Sequence, residues 1–412
     1  MNTIFIQIAA YRDPELVPTI KDCIAKAKYP KNLRFCIGWQ HTPEETLPKK
    51  FFSDKRFTIL DIPYLESKGA CWVRNKIQQE YADEKYTLQL DSHHRFAENW
   101  DEIAIDMLEG LKESGYAKPL LTAYIPSYNP ENDPAEREQT PWKMNFDRFI
   151  PEGAIFFLPS SMSAEELKTP LPSRFYSAHF CFTDGIFCKE VQHDPDYYFH
   201  GEEISIAVRA FTKGYDLFHP NKIIAWHEYT RRGRTKQWDD YKDWGEHNSA
   251  SHLKNRKLFG MDNETQDVDF GIYGFGNVRT LRDYEKYAGL SFKRRAVQNY
   301  TLENLPAPNP LYSTDALFES SLNNRFKHCI DIGYSQVTEK DYDYWVVAFH
   351  DKDDNTMYRK DADRDEIAGF WEDKDSYCKV WREFNTDELP SYWVVWPHSE
   401  SKGWCERITG NL

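Results

Sequence analysis

The feature that most constrains this chain is the alternation of short apolar runs with helical patterns over its first hundred residues. Residues 3–10 read as a buried strand, and residues 14–28 as a helix with Leu16, Ile20, Cys23 and Ile24 on one face. Residues 33–39 and 57–62 read as two further strands. A helix over 69–81 turns Trp72, Val73, Ile77 and Tyr81 to one side, and a strand over 86–90 breaks off into Asp91-Ser92-His93-His94. Strands separated by helices imply βαβ units, a largely parallel sheet and an α/β fold. Ligands of such sheets bind beyond the carboxyl ends of the strands, where Tyr11-Arg12-Asp13 and Asp91-Ser92-His93 both fall.

Further along, residues 126–172 are rich in Pro, Asn, Glu and aromatics and read as a long surface segment. Order returns with 178–187, a helix at 202–213 ended by Gly214, and a strand at 223–227 followed by basic Arg231–Arg234. Residues 280–288 read as a helix, with Thr280 and Asp283 at capping-box spacing and Gly289 behind it. From about residue 309 the character changes to Asp-rich sequence holding six of the 13 tryptophans. There Tyr344-Trp345-Val346-Val347 with His350 recurs 48 residues later as Tyr392-Trp393-Val394-Val395 with His398, and Arg359 and Arg407 keep the same offset. The expected organisation is thus an α/β domain over 1–308 and a small β-rich module over 309–412, with an internal repeat around 344–359 and 392–407.

Composition narrows the class. An aromatic content of 16% excludes a disordered chain. The net charge of −14 argues against non-specific nucleic-acid binding. No apolar run is long enough to span a membrane. The start MNTIFIQIAA has no basic segment and runs into Tyr11-Arg12-Asp13-Pro14, so a cytoplasmic protein is expected. The eight cysteines form no CxxC pair and read as reduced, mostly buried thiols.

Three constellations carry chemistry. Asp91 and His93, two residues apart past a buried strand, suit a divalent cation with mixed oxygen and nitrogen ligands, though Asp, Ser and His also make an ordinary turn. Glu202 and Glu203 open an amphipathic helix, where acids commonly just complement the dipole; the functional alternative is contact with an acceptor hydroxyl or a developing positive charge. His227 follows a strand and is either structural or a third ligand of the ion at Asp91 and His93. Arg12 and Arg74 pair with surface acids or flank a nucleotide pocket. The residues alone reach a metal-dependent site for a phosphorylated ligand.

The order of the pieces resembles a known family. Ile8-Ala9-Ala10-Tyr11-Arg12-Asp13-Pro14-Glu15, Gly69…Arg74, Leu88-Gln89-Leu90-Asp91-Ser92-His93, Phe199…Gly201-Glu202-Glu203 and His227…Tyr229…Arg231 are similar to the N-acetylglucosaminyltransferases of glycosyltransferase family 60, and more distantly to the polypeptide GalNAc-transferases. The resemblance spans about residues 3–300. It implies a GT-A fold, a UDP-sugar donor (UDP-GlcNAc) and Mn²⁺ or Mg²⁺ held by Asp91, His93 and His227. It further implies donor contacts from Tyr11, Arg12, Asp13, Arg74, Gln89 and Ser92, and acceptor or catalytic roles for Glu202 and Glu203. His179 falls against the donor sugar, where relatives carry small residues. Anomeric configuration would be retained, with a protein or glycan hydroxyl as acceptor. The alternatives are another UDP-sugar on the same fold (UDP-GalNAc, UDP-Gal or UDP-Glc), or a non-catalytic binding protein.

Overall fold

A computed structural model describes residues 2–230, 233–264, 268–371 and 377–412. The first four strands are β1 (Ile4–Tyr11), β2 (Leu33–His41), β3 (Phe57–Pro63) and β4 (Tyr86–Asp91). They run parallel in the order β3-β2-β1-β4, with Ile8 opposite both Ile37 and Leu90. β1 and β4 are almost wholly buried, as continuous apolar runs covered on both faces should be. The short β5 (His94–Phe96) leaves the sheet, and β6 (Pro119–Thr122) rejoins it farther on.

The segment expected to be a surface loop is partly sheet. β7 (Trp142–Phe149) and β8 (Ile155–Ser161) form an antiparallel hairpin that buries Met144, Phe146, Phe149, Ile155 and Phe157. Alternating apolar and polar residues in Trp142-Lys143-Met144-Asn145-Phe146 are the pattern of a strand with one wet face. β9 (Leu171–Pro172), β10 (Phe180–Asp184) and β11 (Asp216–His219) complete an eight-stranded sheet of order β3-β2-β1-β4-β10-β6-β11-β9. β10 runs antiparallel to both neighbours, so its start lies at the edge where the parallel strands end.

On one face of the sheet, helices Leu16–Lys26 and Trp100–Glu113 bury Leu16, Ile20, Trp100 and Leu108 against β1, β2 and β4. The other face is covered by Glu202–Thr212, the β7–β8 hairpin, and helices Trp244–Phe259 and Leu281–Ala288. The last helix is bounded as its sequence indicates: Thr280 and Asp283 form the capping box, and Gly289 takes φ +66°. Helix Ala70–Gln78 packs Val73 and Ile77 on the flank formed by Phe5, Cys36 and Ile62. Residues 326–412 have their own core around Trp345, Val347, Phe349, Val380 and Val395. Among the described residues no helix is long and apolar enough to cross a membrane.

Candidate active site

A cleft of about 560 Å³ opens over the carboxyl ends of β1, β2 and β4. The strand β12 (Ala225–His227) pairs antiparallel with β5, and its last residue, His227, lies opposite His94. That register carries a residue 136 positions later in the chain to the turn after β4. One ligating atom from each of Asp91, His93 and His227 lies within 4.8 Å of the others. His227 Nε2 and His93 Nε2 stand 3.6 and 3.7 Å from Asp91 Oδ2.

The surroundings prepare these groups for a cation. His93 donates through Nδ1 to Asp13 Oδ2 at 2.7 Å, which leaves Nε2 facing the cluster with its lone pair. A carboxylate behind a ligating imidazole fixes both tautomer and ring orientation. Asp13 also accepts from the Ser92 hydroxyl at 2.7 Å and the Glu15 amide at 2.8 Å. Burial works against its charge, yet His93 and Ser92 hold the carboxyl down to about 2. Burial, with His93 nearby, drives the His227 pKa well below the ordinary value, so the ring is neutral, as ligation requires. Among the described residues, neither of its buried nitrogens has a hydrogen-bond partner. Burial would raise Asp91, but His227, Arg74 and His93 keep it well below the usual carboxylate range. An orphaned neutral imidazole beside a carboxylate and a second oriented imidazole fits a divalent cation. Arg234 sets Nη1 against the His93 ring, nearer Nδ1 than Nε2, and reaches Glu228 at 2.8 Å, so a guanidinium packs beside the cluster.

Arg74 lies one turn into the helix that begins after Gly69, whose φ is +105°. A Cβ at Gly69 would stand 2.7 Å from the Tyr198 carbonyl oxygen, so the close approach requires glycine. Arg74 donates to Asp91 Oδ1 at 2.7 Å and lies 3.5 Å from Glu202. Gly201, at φ +99°, opens the helix carrying Glu202 and Glu203. The two acids differ. Glu203 accepts from the Ala178 amide and the Tyr124 hydroxyl, both at 2.8 Å. Glu202 has its ionic contact with Arg74 alone among the described residues, and burial, then Glu203, raise its pKa strongly. Burial raises Glu203 less, because Ala178 and Tyr124 oppose it.

Other residues singled out from sequence lie as follows. Tyr11, Asp13, Ser92 and His179 line the cleft. Tyr11 and Arg12 both donate to Asp240 at 2.7 Å, and the Arg12 guanidinium sits 5.0 Å from the Tyr64 ring. Gln89 lies beneath the floor, donating to the Ala178 carbonyl and accepting from His193, each at 2.7 Å. His179, just before β10, accepts the Ile125 amide at 3.2 Å and stacks on His227 with 4.2 Å between ring centres. Arg231 and Arg232 lie outside the described residues. Sequence reading missed Tyr124, Phe156, Phe157, Tyr198 and Trp238 of the walls. They come from loops, the hairpin and the short helix Gln237–Asp240, and carry no local motif.

The carboxylate–imidazole cluster sits on the edge where the parallel strands end, the place where ligands of such sheets bind. A family model described as Glycosyltransferase (GlcNAc) matches residues 3–51 and 44–294, so the chain belongs to that glycosyltransferase family and is an enzyme. Similar solved structures include GalNAc-T7 with UDP, GalNAc and Mn²⁺, at 14% identity and TM-score 0.45, covering 69% of this chain and 54% of that one. Another is S. aureus TarS 1–349 in complex with UDP-GlcNAc, at 13% identity and TM-score 0.38, covering 61% and 67%. Full S. aureus TarS, at 10% identity and TM-score 0.37, aligns over 99% of this chain and 77% of its own. The chain spans about half the length of GalNAc-T7. No curated protein matches it.

Proposed function

We propose that the protein transfers GlcNAc from UDP-GlcNAc to a hydroxyl of a protein or glycan, with retention at the anomeric carbon, using Mn²⁺ or Mg²⁺ held by Asp91, His93 and His227. The observation that carries this reading is the convergence of those three side chains within 4.8 Å from two distant stretches of chain, with His93 already oriented by Asp13. The GlcNAc family match supports the sugar. When bound, the cation supplies Lewis-acid neutralisation of charge appearing on the leaving diphosphate.

The chain's own residues do the rest. Arg74 fixes Asp91 and adds positive potential beside it. Arg234 and Lys236, both on the cleft wall, offer cationic hydrogen-bond donors to phosphate oxygens. Tyr11 and Ser92 line the donor side. Glu203, with both oxygens occupied, holds Ala178 and Tyr124 in place. Glu202, whose carboxyl burial pushes above the ordinary range, presents its carboxyl group to the acceptor hydroxyl. The acceptor attacks from the face the diphosphate leaves, and its proton passes to the departing phosphate oxygen, so no strong protein base is needed.

The test is UDP release from UDP-GlcNAc, UDP-GalNAc, UDP-Gal and UDP-Glc, with and without Mn²⁺. UDP-GlcNAc turnover that requires the cation and vanishes in Asp91→Ala is expected. Equal turnover without any divalent ion contradicts the proposal.

A further inference from the structure

The internal repeat builds one exposed surface twice, and only one of the two carries tryptophan. Strands Tyr342–His350 and Tyr392–Ser399 pair antiparallel with Val347 opposite Val395, which places a pseudo-twofold axis between the two copies. At one end Tyr344 lies opposite His398; at the other His350 lies opposite Tyr392. The ends are finished alike. Asp361 accepts from the Tyr344 hydroxyl and pairs with Arg359 at 2.8 Å. Asp354 accepts from the Tyr392 hydroxyl, which Arg407, the repeat partner of Arg359, also approaches.

The difference is Trp396 and Trp404, which flank the Tyr344–His398 end. Their repeat counterparts are Ala348 and Thr356. Since the sister end makes the same cross-strand pair without them, strand pairing does not need these indoles. Core packing does not use them either: Trp345 is wholly buried and Trp371 and Trp393 pack against the core, whereas Trp396 and Trp404 are 38% and 49% exposed. The two rings lie 4.5 Å apart, and Trp404 stands 5.1 Å from His398 and 6.3 Å from Tyr344, itself 38% exposed. His398 is fixed by Asp343 at 2.7 Å, so carboxylates rim the aromatic patch. A separate polar cleft of about 490 Å³ in the same module is lined by Gln336, Glu339, Lys402, Cys405 and Arg407 and by none of these four side chains.

We propose that Tyr344, Trp396, His398 and Trp404 form a glycan-binding site, separate from the transfer site, whose ligand is an uncharged oligosaccharide. A pyranose presents an apolar C–H face and an equator of hydroxyls; exposed indole faces suit the first, and the fixed carboxylates of Asp343 and Asp361 suit the second. Charge selects against other occupants. Residues 309–412 hold 21 Asp+Glu against 12 Lys+Arg, −9 of the chain's −14, which repels anionic lipid surfaces and polyanions.

The experiment is calorimetric titration of the full chain with chitotetraose, cellotetraose and mannotetraose, and with a heparin tetrasaccharide as anionic control. At least one neutral tetrasaccharide is expected to bind and heparin is not. Trp404→Ala and Trp396→Ala should each weaken binding by about tenfold or more, with Trp404→Phe recovering part of it. His350→Ala, at the sister end, and Asp91→Asn, at the cation site, should leave it unchanged, which separates this site from the transfer site. No binding by any neutral probe overturns the proposal, as does binding indifferent to both tryptophans. A wild-type dimer that Trp404→Ala dissociates overturns it too, because the patch is then an interface between copies.

Discussion

Asp13 shows how far one carboxylate can be committed. Its oxygens accept from His93, Ser92 and the Glu15 amide, so a group that sequence reading assigns to the donor serves in this structure to orient an imidazole. Asp13→Asn keeps the shape but removes the charge that sets the His93 tautomer, and Mn²⁺ affinity measured by titration calorimetry should fall about 10- to 100-fold. Because its folded pKa is depressed to about 2, its contribution to stability is present above the unfolded value of 3.8 and is lost only as pH falls through about 2. Glu202 has the opposite sign. Its folded pKa lies above the unfolded 4.5, so its favourable contribution is complete below 4.5 and is lost as pH rises through the folded value. Glu202→Gln should therefore raise the melting temperature over the parent, by more at about pH 8 than at about pH 5. A gain that shrinks with pH would contradict a carboxyl whose burial outweighs its contact with Arg74.

At the scale of elements, the helices Leu16–Lys26 and Ala70–Gln78 were legible by their spacing; the short helix Lys49–Ser53 was not. β3 was legible because even this exposed edge strand keeps a β-branched and aromatic run. Strands β1, β2 and β4 were legible because buried parallel strands are nearly uninterrupted apolar runs. The Asp91–His93 pair was legible because it sits at the end of such a run. The reversed direction of β10 was not, since a buried strand's side chains look the same whichever way it runs. The β7–β8 hairpin was hidden by its wet face, where Lys143, Asn145 and Arg148 and the close of β8 at Pro159-Ser160-Ser161 resemble loop composition. That hairpin supplies Phe156 and Phe157 to the cleft, which is why this wall was the least readable part of the site. The segment after β12 has a consequence for binding order. Arg234 sets a positive charge against the His93 ring, which opposes a divalent cation there, and it also lines the cleft where the proposed donor would bind. Arg234→Gln should thus tighten Mn²⁺ binding in the absence of nucleotide and weaken UDP binding in the presence of Mn²⁺, both by calorimetry. Loss of affinity for Mn²⁺ alone would assign Arg234 a different part.

For the whole molecule, the sheet explains why residues from positions 13 to 234 meet in one cleft. Parallel strands end on a common edge, β10 begins there because it runs the other way, and the β5–β12 pair returns His227 to the turn after β4. The repeat near the C-terminus was visible as sequence, but its meaning was not. Only the pairing of the two copies shows that Trp396 and Trp404 break their symmetry. The central claim remains the cation. Diffraction from crystals soaked with Mn²⁺ and UDP, recorded at the manganese absorption edge, should give one strong anomalous peak coordinated by Asp91, His93 and His227, and His227→Ala should abolish it. A manganese peak elsewhere in the protein, or no peak at these three residues in crystals that bind UDP, would contradict the account.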